Sequence, residues 1–160
     1  MAASPDGAER EIRILNRLDQ IADVAAFVEA FGNANDLPEN LVNALNVALD
    51  EALSNAMSYG FPDGGSHVII VSLGCCGGEV WAEVMDDGIP FDPLASPTAP
   101  DLGQALHDRK VGGLGLLFMR HLMDDVSYRR EGGFNRLRLR IKVGAAAPRG
   151  EGATGASEAG

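Results

Sequence analysis

Residues 38–60 read PENLVNALNVALDEALSNAMSYG, and residues 61–86 continue FPDGGSHVIIVSLGCCGGEVWAEVMD. These two stretches decide the fold. The first reads as a helix: Pro38 suits an opening turn, where its missing N–H would be unpaired anyway, and Gly60 offers a left-handed stop. The second begins with a turn at FPDGGS and a strand at HVIIVSL. Gly77-Gly78 then turns the chain back into the strand EVWAEVMD, which completes a hairpin. A long helix running straight into a hairpin predicts helices laid on an antiparallel sheet.

Upstream, Ile12 and Ile14 alternate with charged residues between Glu9 and Arg17, the pattern of a half-buried strand. From about Asp19 to Phe31, Ile21, Val24, Ala25 and Val28 recur at helical spacing, and Gly32 with the polar run NAND is expected to stop that helix. Downstream, residues 87–112 predict a long irregular loop, and such loops in compact domains are usually functional or disordered. A helix restarts at about Leu114 through GLLFMRHLMD, followed by the strands DVSYRR and NRLRLRIKV joined at EGGF. Residues 1–8 and 144–160 are expected to be disordered, because small polar segments cannot bury a core. The single folded domain is then 9–143. Its fold class is α+β: a two-layer sandwich whose mixed, mostly antiparallel sheet carries helices on one face.

The 160 residues suit one domain, and 46% hydrophobic against 22% charged residues is an ordinary globular balance. The charge is not ordinary. A net −10 excludes a basic nucleic-acid footprint, and the arginines from Arg129 to Arg140 are too few to reverse it. No run reaches the roughly 18–20 apolar residues of a membrane helix. The opening MAASPDGAER lacks a basic patch followed by an apolar stretch, so no signal peptide is expected. A cytoplasmic protein with a protein or small-molecule partner is the expectation. Cys75 and Cys76 are adjacent in a strand and so point to opposite faces; buried free thiols are expected there, with neither a disulfide nor zinc.

Three segments carry chemistry. In VALDEALSNAMSYG, Glu51 and Asn55 lie four residues apart and so share a helical face. Asn supplies a neutral oxygen acceptable to magnesium, and Glu a general base. Such pairs are also routine on solvated helices, and Asp50 reads as a surface charge. In EVMDDGIPFDP, an acidic residue leaves the strand with Gly88 close behind. Ionised Asp only accepts hydrogen bonds, so it can read an exocyclic amine such as that of adenine, and Gly88 leaves room for a flat ring. Asp-Gly is equally a common turn pair. In RKVGGLGLLFMRHLMDDVSYRR, glycines open a helix and expose N–H groups to phosphate. The stretch lacks both the P-loop ending and the dinucleotide fingerprint, and alone it reads equally well as a hinge.

These segments occur in that order, separated by about 30 and then 25 residues. Together they resemble the GHKL superfamily of ATP-binding domains (the histidine-kinase-like ATPase fold), and within it the small anti-sigma-factor serine/threonine kinases. The run GGLGL…MRHLMDDVSYRREGG is especially similar, and the likeness covers roughly residues 10–143. The resemblance implies a catalytic Glu51, a magnesium-binding Asn55, an adenine-reading Asp86 (rather than Asp87) and the glycine Gly88. It also implies a phosphate-facing lid of Gly112, Gly113, Leu114, Gly115 and Leu116. Asn135 stands where the superfamily often has a threonine making water-mediated adenine contacts. Two positions depart from the family pattern: Pro90 replaces the second glycine of the aspartate box, and Val111 stands where relatives carry a basic residue.

The resemblance therefore implies an ATP- and magnesium-dependent serine/threonine kinase of a bacterial partner-switching system. It would bind a sigma factor and phosphorylate an anti-sigma-factor antagonist, a small STAS-like domain, with a homodimer as the assembly. The alternative is an ATP-sensing module that sequesters partners without phosphorylating them, which the missing basic residue at Val111 favours. A sensor histidine kinase fits poorly: none of the 50 residues before Glu51 is histidine, and His67, His107 and His121 all come later. His67 and His121 are expected to be structural, Trp81 to be core, and Met119 with Met123 to be packing residues. Phe91 and Pro93 either line an adenine pocket or tie down the loop.

Overall fold

The computed structural model describes residues 9–95 and 119–144. Its elements are β1 (Arg10–Leu15), α1 (Ile21–Ala34), α2 (Glu39–Tyr59), β2 (Val68–Cys76), β3 (Glu79–Asp86), β4 (Asp125–Glu131) and β5 (Phe134–Lys142). A short helical turn spans 119–122. The five strands lie in the order β1-β2-β3-β5-β4, and every neighbouring pair is antiparallel. The expected mixed sheet is thus wholly antiparallel among the described residues. The expected tails 1–8 and, Gly144 apart, 144–160 lie outside them.

Alternation along the strands divides the sheet into two faces. One face carries Ile14, Ile69, Val71, Leu73, Val80, Ala82, Val84, Leu137, Leu139 and Ile141, all buried. Against it pack Val24, Val28 and Phe31 of α1 and Leu41, Leu45, Leu49 and Leu53 of α2, in one core with Met119 and Met123. Both methionines are packing residues, as expected. Leu41, Leu45, Leu49 and Leu53 recur every four residues, so one stripe of α2 is buried along its length.

Several local expectations are corrected. Gly32 does not stop α1 but lies inside it, where a β-carbon would come within 2.5 Å of Val42 Cγ2; the glycine lets α1 approach α2. The helix runs two residues further, to Ala34, and Asp36 then takes the left-handed region with φ 53°. Pro38 caps α2 rather than entering its first turn, and its carbonyl accepts from Leu41 and Val42 N–H. Gly60 is right-handed, φ −87°, so its value is space rather than φ. Gly77-Gly78 and Gly132-Gly133 do need glycine: all four have positive φ, the geometry of tight hairpin turns.

The opposite face of the sheet is charged. Trp81 lies there, half-buried, with Arg138 4.2 Å above its ring, so the expected core tryptophan instead packs under a guanidinium. Arg136 and Arg138 both reach the buried Glu83, at 2.9 and 3.5 Å. The arginine-rich strand is thereby matched by acids. Cys75 is half-buried and Cys76 exposed, neither in a disulfide; the expected burial fails at Cys76 because it stands at the hairpin end of β2. Among the described residues no helix is long and apolar enough to cross a membrane.

Candidate functional site

Four elements meet at one end of the sheet. Ala52, Asn55, Ala56 and Gly60 of α2 face Val84 and Asp86 of β3, Asn135 and Leu137 of β5, and Tyr128 of β4. With Phe91 and Pro93 they line a pocket of about 410 Å³, counting its open mouth. Phe91 and Pro93 are therefore pocket residues, and Phe91 also stacks on Tyr59 at 5.6 Å.

The α2 periodicity sets which side chains reach the pocket. Asn55 lines it, and its side chain makes no hydrogen bond to any described residue. Glu51, one turn earlier, is half-buried and has an interaction partner, but it is not among the lining residues. Asp50 is exposed, as expected. No group of three or more His, Cys, Asp or Glu side chains among the described residues is placed to hold a metal. The residues present nonetheless fit a magnesium site of the kind built mostly from phosphate: a cation here would take one neutral oxygen from Asn55 and complete its shell with phosphate oxygens and waters.

Asp86 ends β3 and is 6% exposed. Its Oδ1 accepts from Gly88 N–H at 2.8 Å and from Asn135 Nδ2 at 3.0 Å. Its second oxygen has no partner among the described residues, which leaves one acceptor on a carboxylate lining the pocket. Asp87, by contrast, is exposed and bonds elsewhere. Asn135, paired with Asp86 across the β3–β5 register, is buried. Its Nδ2 also donates to Ile89 O at 2.9 Å, while its Oδ1 accepts from Tyr128 OH at 2.6 Å and Phe91 N–H at 3.3 Å.

Gly88 was expected to make room for a flat ring. The structure adds a second demand on it: a β-carbon at Gly88 would collide with the carbonyl oxygen of Gly60. Ile89 N–H donates to that same oxygen at 2.9 Å. The end of α2 is thereby bonded to the turn after Asp86. Arg130 on β4 adds a bond from Nη1 to Gly88 O at 2.7 Å.

His67 has more than a generic structural role. Nε2 lies 2.9 Å from Asp63 Oδ2 and Nδ1 lies 3.0 Å from Asp87 Oδ1, with the ring stacked on Phe61 at 4.7 Å. Bonds to carboxylates at both nitrogens suit the imidazolium, which donates at both. The Asp63 hydrogen bond, then that to Asp87, holds the His67 pKa above its usual value. Asp63 is shifted down, first by Gly65 N–H and then by His67. His121 is exposed.

The expected lid residues Gly112, Gly113, Leu114, Gly115 and Leu116 lie outside the described residues, as do His107 and Val111. A sequence reading assigns no role to Tyr128, Arg130 or the His67 clasp, although Tyr128 and Arg130 lie in the run DDVSYRR that resembles the family. What individual signal Tyr128 and Arg130 have is the strand alternation that sets both on one side of β4.

Residues 14–141 match the family model described as the histidine kinase-like ATPase domain. The chain is 38% identical over 95 residues to the serine/threonine-protein kinase BtrW of Bordetella bronchiseptica, covering 59% of this chain and 66% of that protein. The match thus spans just under two thirds of that relative. Over 123 residues it is 25% identical to an anti-sigma F factor of Clostridium acetobutylicum, covering 77% of this chain and 85% of the relative. The crystal structure of RsbU and RsbW domains from Mycobacterium tuberculosis superposes with TM-score 0.60 at 16% identity, over 86% of this chain and 33% of that one. A blue-light activated histidine kinase of Erythrobacter litoralis superposes with TM-score 0.54 at 18% identity, over 76% and 41%. These two likenesses concern the fold alone.

Proposed function

The chain belongs to the histidine kinase-like ATPase domain family, and from that premise we propose that it is an ATP- and magnesium-dependent serine/threonine protein kinase of a bacterial partner-switching system. The observation that carries this reading is the single pocket lined by Asn55, Asp86 and Asn135, which lie on three different elements. In this reading the unpaired oxygen of Asp86 accepts from the adenine amine and Asn55 holds magnesium. Glu51 accepts the proton of a serine or threonine hydroxyl as that oxygen attacks the γ-phosphorus and ADP leaves. Phosphoryl transfer asks the protein mainly for positioning and charge stabilisation. The lid from Gly112 through Gly113, Leu114 and Gly115 to Leu116 supplies N–H groups to the phosphates.

The phosphorylated partner in this proposal is an anti-sigma-factor antagonist with a STAS-like fold, and the sequestered partner is a sigma factor. The kinase acts in the cytoplasm as a homodimer. The names of the sequence relatives, a serine/threonine-protein kinase and an anti-sigma factor, support this assignment. Phosphorylation adds about −1.5 to −2 charge, which an acidic kinase of net charge −10 disfavours at its surface. The product then dissociates.

One observation favours a second reading, an ATP-sensing module that sequesters partners without phosphorylating them: Glu51 does not line the pocket with Asn55. Purified protein with ATP, magnesium and candidate antagonists separates the two. Phosphate transfer that Glu51→Ala abolishes, with ATP binding retained, supports the kinase. ATP binding without transfer in the wild type removes the kinase and leaves the module.

A further inference from the structure

The Asn135 carboxamide is saturated. A carboxamide offers two N–H donors and an oxygen with two lone pairs. Here the donors go to Asp86 Oδ1 and Ile89 O, and the oxygen takes Tyr128 OH and Phe91 N–H. Nothing remains to offer a base. The reversed amide would set its oxygen against two acceptors, Asp86 Oδ1 and Ile89 O, and its nitrogen against the Phe91 donor. The network therefore admits one orientation.

Tyr128 makes the shortest bond in this network, 2.6 Å. Without its hydroxyl, Asn135 Oδ1 would keep only the 3.3 Å bond from Phe91 N–H. A buried acceptor left so weakly paired is costly and loosens its surroundings. Asp86 would feel this directly, because Asn135 supplies one of its two described hydrogen bonds.

We propose that Tyr128 is a positioning residue that sets base selectivity: acting through Asn135, its hydroxyl pins Asp86 so that one carboxylate oxygen stays aimed at an exocyclic purine amine. This rests on the nucleotide-binding reading above and deepens it. A pinned carboxylate rejects a 6-oxo purine, which presents an acceptor where Asp86 needs a donor. A loosened carboxylate shifts to the N1–H of the oxo base and tolerates it. Selectivity for amino over oxo purines is thus relayed from Tyr128 through Asn135 and Asp86 to the base.

The test is calorimetric titration of the full chain with ATP and inosine triphosphate, for wild type, Tyr128→Phe, Asn135→Ala and the double variant. Folding of each is checked by thermal unfolding. We expect Tyr128→Phe to weaken ATP about fivefold, the scale of one neutral hydrogen bond, and to leave inosine triphosphate unchanged or tighter. Added to Asn135→Ala, it should alter the ratio no further. Asn135→Ser, which keeps a donor for Asp86, replaces Asn135→Ala if the latter does not fold. Equal loss for both nucleotides overturns the proposal, since that is what a merely structural role gives. A ratio that narrows equally in both backgrounds also overturns it, since Tyr128 would then touch the base itself. If the wild type binds neither nucleotide, the nucleotide reading falls and this proposal with it.

Discussion

Gly88 packs directly on the carbonyl of Gly60, so the turn after Asp86 and the end of the helix bearing Asn55 are joined backbone to backbone. Neither residue has positive φ; Gly60 contributes its carbonyl and Gly88 the missing side chain. In the Gly88→Ala variant the new methyl meets backbone rather than a flexible side chain, and overpacking of this kind costs about 1–3 kcal/mol. Thermal unfolding should fall accordingly, and ATP affinity with it. Gly144→Ala, where nothing lies within 4 Å, should change neither. Equal behaviour of the two variants would contradict the account.

Asp86→Asn tests the free acceptor. The asparagine can keep Gly88 N–H and Asn135 Nδ2 on its oxygen, but it then turns an NH₂ group toward the purine amine. Losing a hydrogen bond to a charged group should weaken ATP about tenfold to a hundredfold. Unfolding temperature should move far less. Unchanged affinity by calorimetry would separate Asp86 from base recognition.

His67 joins the loop after α2, through Asp63, to Asp87, the neighbour of Asp86. Its folded pKa is raised, so its contribution is full below the ordinary histidine value and is lost as pH rises through the folded value. Asp63 is depressed, so its share is full above the ordinary carboxylate value and is lost as the pH falls through its folded value. The stability difference between wild type and His67→Gln should therefore be larger near about pH 6 than near about pH 9. Melting curves across that range decide it, and a difference that grows with pH would reverse the sign.

Gly74 faces Trp81 across the β2–β3 pair, and a β-carbon on it would come within 2.5 Å of Cζ2. Gly74→Ala should push the indole out from under Arg138 and forfeit a cation–π contact worth about 0.5–1 kcal/mol at an exposed site. Since Trp81 is the only tryptophan, its emission should shift to the red. An unshifted spectrum would mean that the indole keeps its place.

Much of this was legible in the chain because it is local. Helical spacing, strand alternation and the paired glycines of each hairpin are properties of near neighbours, and so α1, α2 and the two hairpins stand where the sequence puts them. Glu51 and Asn55 share a helix side for the same reason, and Asp86 ends a strand that alternation alone marks out. Other features depend on partners roughly 40–50 residues away in sequence. Alternation sets Trp81 and Ala82 on opposite faces, but only the register with β5 and the packing of α2 decide which face is dry. Helix-stop rules read Gly32 and Gly60 as punctuation, although Gly32 is a close-approach point whose need appears only when Val42 arrives, and the Gly60 carbonyl is what Gly88 must clear. The amide of Asn135 is committed only once Tyr128, Phe91, Ile89 and Asp86 surround it. Residue order thus determined the elements and the candidate chemistry. Tertiary packing alone decided which oxygen is left unpaired, because a hydrogen bond is allocated by every neighbour within about 3 Å and not by the sequence around one residue.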